Sequence, residues 1–123
     1  MNADGLSTLE TALTMPDINV VVRSASTIVE LLGPLPLRRG DEWLTLGEEG
    51  RDHVHVKVSE AASLCFDAPG NANAHLDVLA SGDDVILRIA FRKTNPEKAS
   101  KFEGTRLAEV EGRFGHLRRG RHT

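Results

Sequence analysis

The run His53-Val54-His55-Val56-Lys57-Val58 carries two imidazoles and an ammonium at alternate positions. Strict alternation predicts a strand with Val54, Val56 and Val58 on one face and His53, His55 and Lys57 on the other. Such a set suits an anion, a metal ion or an iron porphyrin, and it equally suits plain solvent. Neutral imidazole is a good iron donor, which makes His55 the first candidate ligand. On the solvent face of an antiparallel sheet the same residue is simply a surface histidine. His53 lies about 6.5 Å away along that face, as an alternative ligand or as a surface residue flanking a turn. With a carboxylate such as Asp77, the two histidines would make a small zinc or iron site of a metal-dependent enzyme, although no spacing fixes a third ligand.

Composition narrows the classes. At 123 residues, with 40% hydrophobic and 27% charged residues, the chain reads as one ordinary globular domain. We place that domain at 1–116, followed by a basic tail at 117–123 too short and polar to pack. A net charge of -3 provides no electrostatic reason for a nucleic-acid partner. No apolar run is long enough to span a bilayer and no signal-peptide pattern opens the chain, so membrane insertion is not expected. The single cysteine, Cys65 between Leu64 and Phe66, fits a buried thiol in a reducing cytoplasm. Aromatic residues are only 4% of the chain, which argues against a site built on aromatic stacking. There is no nucleophile elbow, P-loop, dinucleotide fingerprint or paired-cysteine metal motif. Glu48-Glu49 reads as a solvated turn rather than an acid/base pair, so no catalytic residue is assigned.

The elements that must position the histidines follow from pattern and punctuation. Ser7 to Thr14 reads as a short helix with Leu9, Ala12 and Leu13 on one side, ended by Met15-Pro16. Asn19–Arg23 and Thr27–Leu32 read as strands, the second stopped by Gly33-Pro34-Leu35-Pro36. Trp43–Leu46 is a third strand, and Glu48–Asp52 turns it back into the histidine strand. Ser59 to Ser63 reads as a helical turn capped by Ser59. His75–Ala80 and Val85–Arg92 form a hairpin across Ser81-Gly82-Asp83-Asp84. Asn95-Pro96-Glu97 reads as the start of a helix reaching about Arg113. The expected fold class is α+β: an antiparallel sheet of about six strands, with a short N-terminal helix and a C-terminal helix packed on it.

Several of these pieces, in this order, resemble the heme-utilisation carrier family, the HutX/ChuX-like and HemS-like proteins of bacterial heme uptake. The residues that carry the resemblance are Val20-Val21-Val22-Arg23, Ile28-Val29-Glu30, the corner Gly33-Pro34-Leu35-Pro36, and Trp43-Leu44-Thr45-Leu46. They continue through His55-Val56-Lys57-Val58-Ser59-Glu60-Ala61-Ala62-Ser63-Leu64-Cys65-Phe66 and the hairpin from His75 to Phe91. The likeness spans about Met15 to Phe114. It implies a heme-utilisation-like sheet with flanking helices, often a homodimer, that binds heme for transport or storage in the cytoplasm.

By that resemblance His55 is the iron ligand and heme the cofactor. The family's second histidine has no counterpart between Gly82 and Val85, and His75 is the nearest candidate. Heme propionates call for basic groups at a pocket mouth. Lys57, Arg88 and Arg92 are the candidates here, and each also reads as a solvated residue guarding a sheet. The second reading is a non-enzymatic interaction module that kept the fold and lost the ligand.

Overall fold

Short β-branched runs separated by turn residues build most of the chain, and a helix stands at each end. The computed structural model describes residues 1–118. Helix α1 (Ala3–Leu13) leads into β1 (Ile18–Arg23), β2 (Ile28–Leu32), β3 (Leu37–Arg39), β4 (Trp43–Gly47) and β5 (His53–Lys57). Then come β6 (Ser63–Asp67), β7 (His75–Leu79), β8 (Val85–Phe91) and helix α2 (Gly104–Phe114). Asn2 caps α1 by accepting the Gly5 N–H at 2.8 Å. The strand pairs are antiparallel, so the fold is α+β as expected.

Three features differ from the expected layout: two sheets replace one, β3 and β6 raise the strands from about six to eight, and the closing helix starts later. The strands form two sheets, one of five in the order β2-β1-β8-β7-β6 and one of three in the order β3-β4-β5. The Gly33–Pro36 corner makes the division: Gly33 N–H donates to Ile18 O at 3.0 Å and Leu35 N–H to Leu13 O at 2.9 Å. Only glycine fits there, because a Cβ would stand 2.5 Å from Ile18 Cγ1. The corner ends β2 against the core and releases the chain into β3, a strand too short and too basic to read from pattern. The second addition, β6, pairs with β7 beyond the turn that follows β5. The closing helix also starts later than Asn95. Asn95 Oδ1 accepts the Glu97 N–H at 3.0 Å, so it closes a tight side-chain turn instead of capping a long helix. A 3-10 turn at Ala99–Lys101 follows before α2 begins.

The inward face of the five-stranded sheet carries Val20, Phe66, Leu76, Val78, Leu87 and Ile89 into the core. Leu9 and Leu13 of α1, Val110 and Phe114 of α2, and Leu44 and Leu46 of β4 meet them there. Each such side chain contributes about 1.5–3 kcal/mol of burial. Phe91 and Phe114 stack with centroids 5.4 Å apart and planes 13° from parallel. Arg106 straps α2 in place by donating to the carbonyls of Arg92, Pro16 and Asp17 at 2.7, 2.7 and 2.8 Å. Of the expected basic tail, Arg118 packs instead over the Phe66 ring and pairs with Glu111 at 3.1 Å. Residues 119–123 lie outside the described part. Among the described residues no helix is long and apolar enough to cross a membrane.

On the outward face of the same sheet, cross-strand register sets Arg88 opposite Asp77. Arg88 Nε and Nη2 donate to the two Asp77 oxygens at 2.8 and 3.0 Å, and His75 Nδ1 lies 3.2 Å from Oδ1. The Asp77 side chain is 9% exposed, so burial pushes its carboxyl up. The hydrogen bonds and charges of His75 and Arg88 outweigh that and hold it below its ordinary value. The hydrogen bond that Arg88 donates to Asp77 in turn raises the guanidinium. A carboxyl depressed in the folded state stabilises the fold above its unfolded pKa of about 3.9, and that contribution is lost as pH falls through the folded value. Asp77→Asn is therefore expected to cost about 2 kcal/mol at pH 7 and to flatten the loss of stability in acid. Urea denaturation of both proteins across pH 7 to 3 checks this, and parallel curves would contradict it.

Candidate functional site

In an antiparallel pair, residues directly opposite one another share a face. The β4–β5 register sets Trp43 against Lys57, Thr45 against His55 and Gly47 against His53. All of them therefore point outward, while Leu44, Leu46, Val54 and Val56 point toward the core. Strand β3 adds Arg38 opposite Thr45 on the outward side. Of these, Arg38, Trp43, Thr45 and His55 line an open cavity of about 440 Å³ together with Gly40, Asp41 and Glu42, and His53 and Lys57 lie outside its lining. Its lining is mostly apolar.

Hydrogen bonds orient both imidazoles. Thr45 Oγ1 lies 3.0 Å from His55 Nδ1, and Thr45 is itself buried. The ring is thus held through Nδ1 from the neighbouring strand, and Nε2 has no hydrogen-bond partner among the described residues. His53 Nδ1 lies 2.7 Å from Arg51 O. A carbonyl only accepts, so Nδ1 carries the hydrogen and the neutral ring keeps its lone pair on Nε2. The two rings stand 5.0 Å apart at 71°. Trp43 meets His55 edge to face at 6.4 Å, and Lys57 Nζ lies 5.8 Å from the indole centroid. Arg38 makes one long, exposed contact with Glu49 at 3.4 Å, worth little in water.

Three of the six candidates, His53, His55 and Lys57, thus gather on one face. The other three do not join them. His75 lies on β7 of the five-stranded sheet and is engaged by Asp77. Arg88 is committed bidentately to the same carboxylate. Arg92, just beyond β8, pairs with Asp17 at 3.4 Å. The bare-metal reading fails for the same reason, because Asp77 is on the other sheet from His53 and His55. No group of three potential ligands that could hold a metal ion occurs among the described residues.

Three further residues belong to the face, namely Trp43, Thr45 and Arg38. Thr45 and Trp43 were within reach of sequence reasoning. Pairing across the Glu48–Asp52 turn, counted with period-two alternation, sets Thr45 opposite His55. Arg38 was not, since it depends on the short strand β3.

This arrangement can present an imidazole nitrogen to a metal that already has most of its coordination from elsewhere. A planar macrocycle could lie along Trp43, with cations at its edge for acidic substituents.

No protein-family model matches the chain, and no curated protein matches it in sequence. Solved structures do. A crystal structure of ChuX superposes with a TM-score of 0.60 and 16% identity, covering 90% of this chain and 76% of that one. A structure of the heme-binding protein ChuX superposes with a TM-score of 0.59 and 16% identity, covering 89% and 74%. At such identity the likeness is one of architecture. The chain carries the ChuX fold.

Proposed function

We propose that this chain binds heme or a related tetrapyrrole on the outward face of its three-stranded sheet and carries it in the cytoplasm for transport or storage. One observation bears most of the weight. His55 lines a mostly apolar cavity of about 440 Å³, with Nδ1 held by Thr45 and Nε2 without a hydrogen-bond partner among the described residues. A metal-bound imidazole is usually oriented by such a bond to its other nitrogen. The donor set fits heme better than a bare ion, because the macrocycle itself supplies the in-plane donors and needs only an axial imidazole. His53 projects from the same strand face and would hold the iron as an alternative to His55. Lys57 and Arg38 are the cations available to the propionates. The kinship with a fold whose structures include the heme-binding protein ChuX supports the same reading.

We also propose that two copies pair through β2. Strand β2 is an edge strand, and Ile28 and Leu32 on it are 60% and 73% exposed. An uncovered apolar edge of this kind is a template for another chain. The same exposed edge is what favours the alternative of a protein-interaction module without a ligand.

Hemin titration followed by visible absorption tests the binding. The wild-type chain is expected to give a saturable one-to-one Soret shift, and His55→Ala to weaken it at least about tenfold or change its position. A wild-type titration no different from that of an unrelated protein would overturn heme binding and select the interaction module. Sedimentation equilibrium at micromolar concentration should return twice the chain mass, and a monomer mass would contradict the pairing.

A further inference from the structure

A second cavity, of about 340 Å³, opens where β8 leaves the five-stranded sheet, between the loop at Asn73 and the turns from Thr94 to Lys101. Its volume matches that of roughly ten waters at about 30 Å³ each, so it has room for a small polyatomic ligand. Arg92, Lys93, Lys98 and Lys101 line it, together with the amides of Asn73 and Asn95. We infer that this cleft is a binding site for a small polyanion of the condensed-phosphate class, either free pyrophosphate or the diphosphate of a nucleotide.

Charge is the first reason. The chain as a whole carries -3, yet this cleft gathers four cations. Arg92 and Lys93 share Asp17 at 3.4 and 3.5 Å, and Lys93 also reaches Glu103 at 3.6 Å. Among the described residues Lys98 and Lys101 have no carboxylate within 4.0 Å. After those two acids are set against Arg92 and Lys93, two positive charges remain uncompensated in one concave place. They line the same cleft as Arg92 and Lys93, which suits a ligand with negative charge on more than one centre.

Rigidity is the second. Thr94 Oγ1 accepts the Ala74 N–H at 2.8 Å, and Asn73 Oδ1 accepts the Thr94 N–H at 3.2 Å. Lys93 O accepts the Glu103 N–H at 2.8 Å, Asn95 O accepts from Lys98 at 3.1 Å, and Lys98 O accepts from Lys101 at 2.8 Å. The walls are thus tied to one another before any ligand arrives, which lowers the entropy cost of binding. Because Asn73 Oδ1 faces Thr94, its amide NH₂ is left as a neutral donor for an anionic oxygen. The cleft lies on a different sheet from His55, and its occupancy does not depend on the porphyrin reading.

Calorimetric titration of the full chain with pyrophosphate at low salt tests the site. Saturable binding below about 1 mM is expected, weakened at least tenfold in the double variant Lys98→Gln/Lys101→Gln. The exposed pair Arg23→Gln/Arg113→Gln removes the same charge away from the cleft and should leave the affinity within about twofold. Equal affinities for pyrophosphate and ADP would identify the free anion as the ligand chemistry, and a tighter ADP would identify the nucleotide. Absence of saturable binding, or an equal loss in both double variants, would overturn the proposal. Unchanged circular dichroism in each variant separates loss of the site from loss of the fold.

Discussion

The register between β4 and β5 is the constraint on which the candidate site depends. Side chains alternate with period two, so a slip of one residue would exchange the faces of β5. Val54 and Val56 would then meet solvent, and His53 and His55 would enter a core that already holds Leu44 and Leu46. Burial of those valines and leucines therefore keeps the imidazoles outward, and it does so without any contact to a ligand. At Gly47, φ is 98° and a Cβ would collide with Asp52 O. That glycine lets the hairpin close with Thr45 directly across from His55.

The remaining charged candidates show how a sheet consumes polar groups for its own stability. Asp77 sits almost buried on the outward face of the five-stranded sheet, where an unpartnered carboxylate would be costly. Arg88 and His75 satisfy it, and in doing so both leave the pool of residues free to meet a ligand. The same type of group thus has two fates in one chain. Where the neighbour is a buried carboxylate, as Asp77 is to Arg88, the cation is structural. Where the neighbours are an indole and a threonine, as around Lys57 and His55, the polar atoms face outward with bonding capacity to spare.

Much of this was legible in the sequence, and the limits have physical causes. Leu9, Ala12 and Leu13 on α1, and Leu87, Ile89 and Phe91 on β8, are spaced at the periods of their elements, and all of them are buried. The hairpin turn at Ser81–Asp84 was readable from its residues, and Gly82 and Asp83 do take positive φ there. The Asp77–Arg88 pair was hidden because a register shift at Val78/Leu79 breaks a simple count back from that turn. The division into two sheets was hidden as well. It rests on close approach of Gly33 to Ile18, residues 15 apart in sequence, and no local pattern records that contact. Asn95-Pro96-Glu97 misled for a local reason, since an asparagine before a proline serves a tight turn as readily as a helix start.

The central claim is one of place: a porphyrin on the outward face of the three-stranded sheet. Its most direct test is a two-dimensional ¹⁵N NMR titration of the labelled chain with diamagnetic gallium protoporphyrin. The account predicts that the Trp43 indole N–H and the backbone amides of Arg38, Thr45, His55 and Lys57 shift first and saturate together, while those of His75, Asp77 and Arg88 hold still. Shifts centred on His75 and Arg88 instead, with β4 and β5 unmoved, would contradict it.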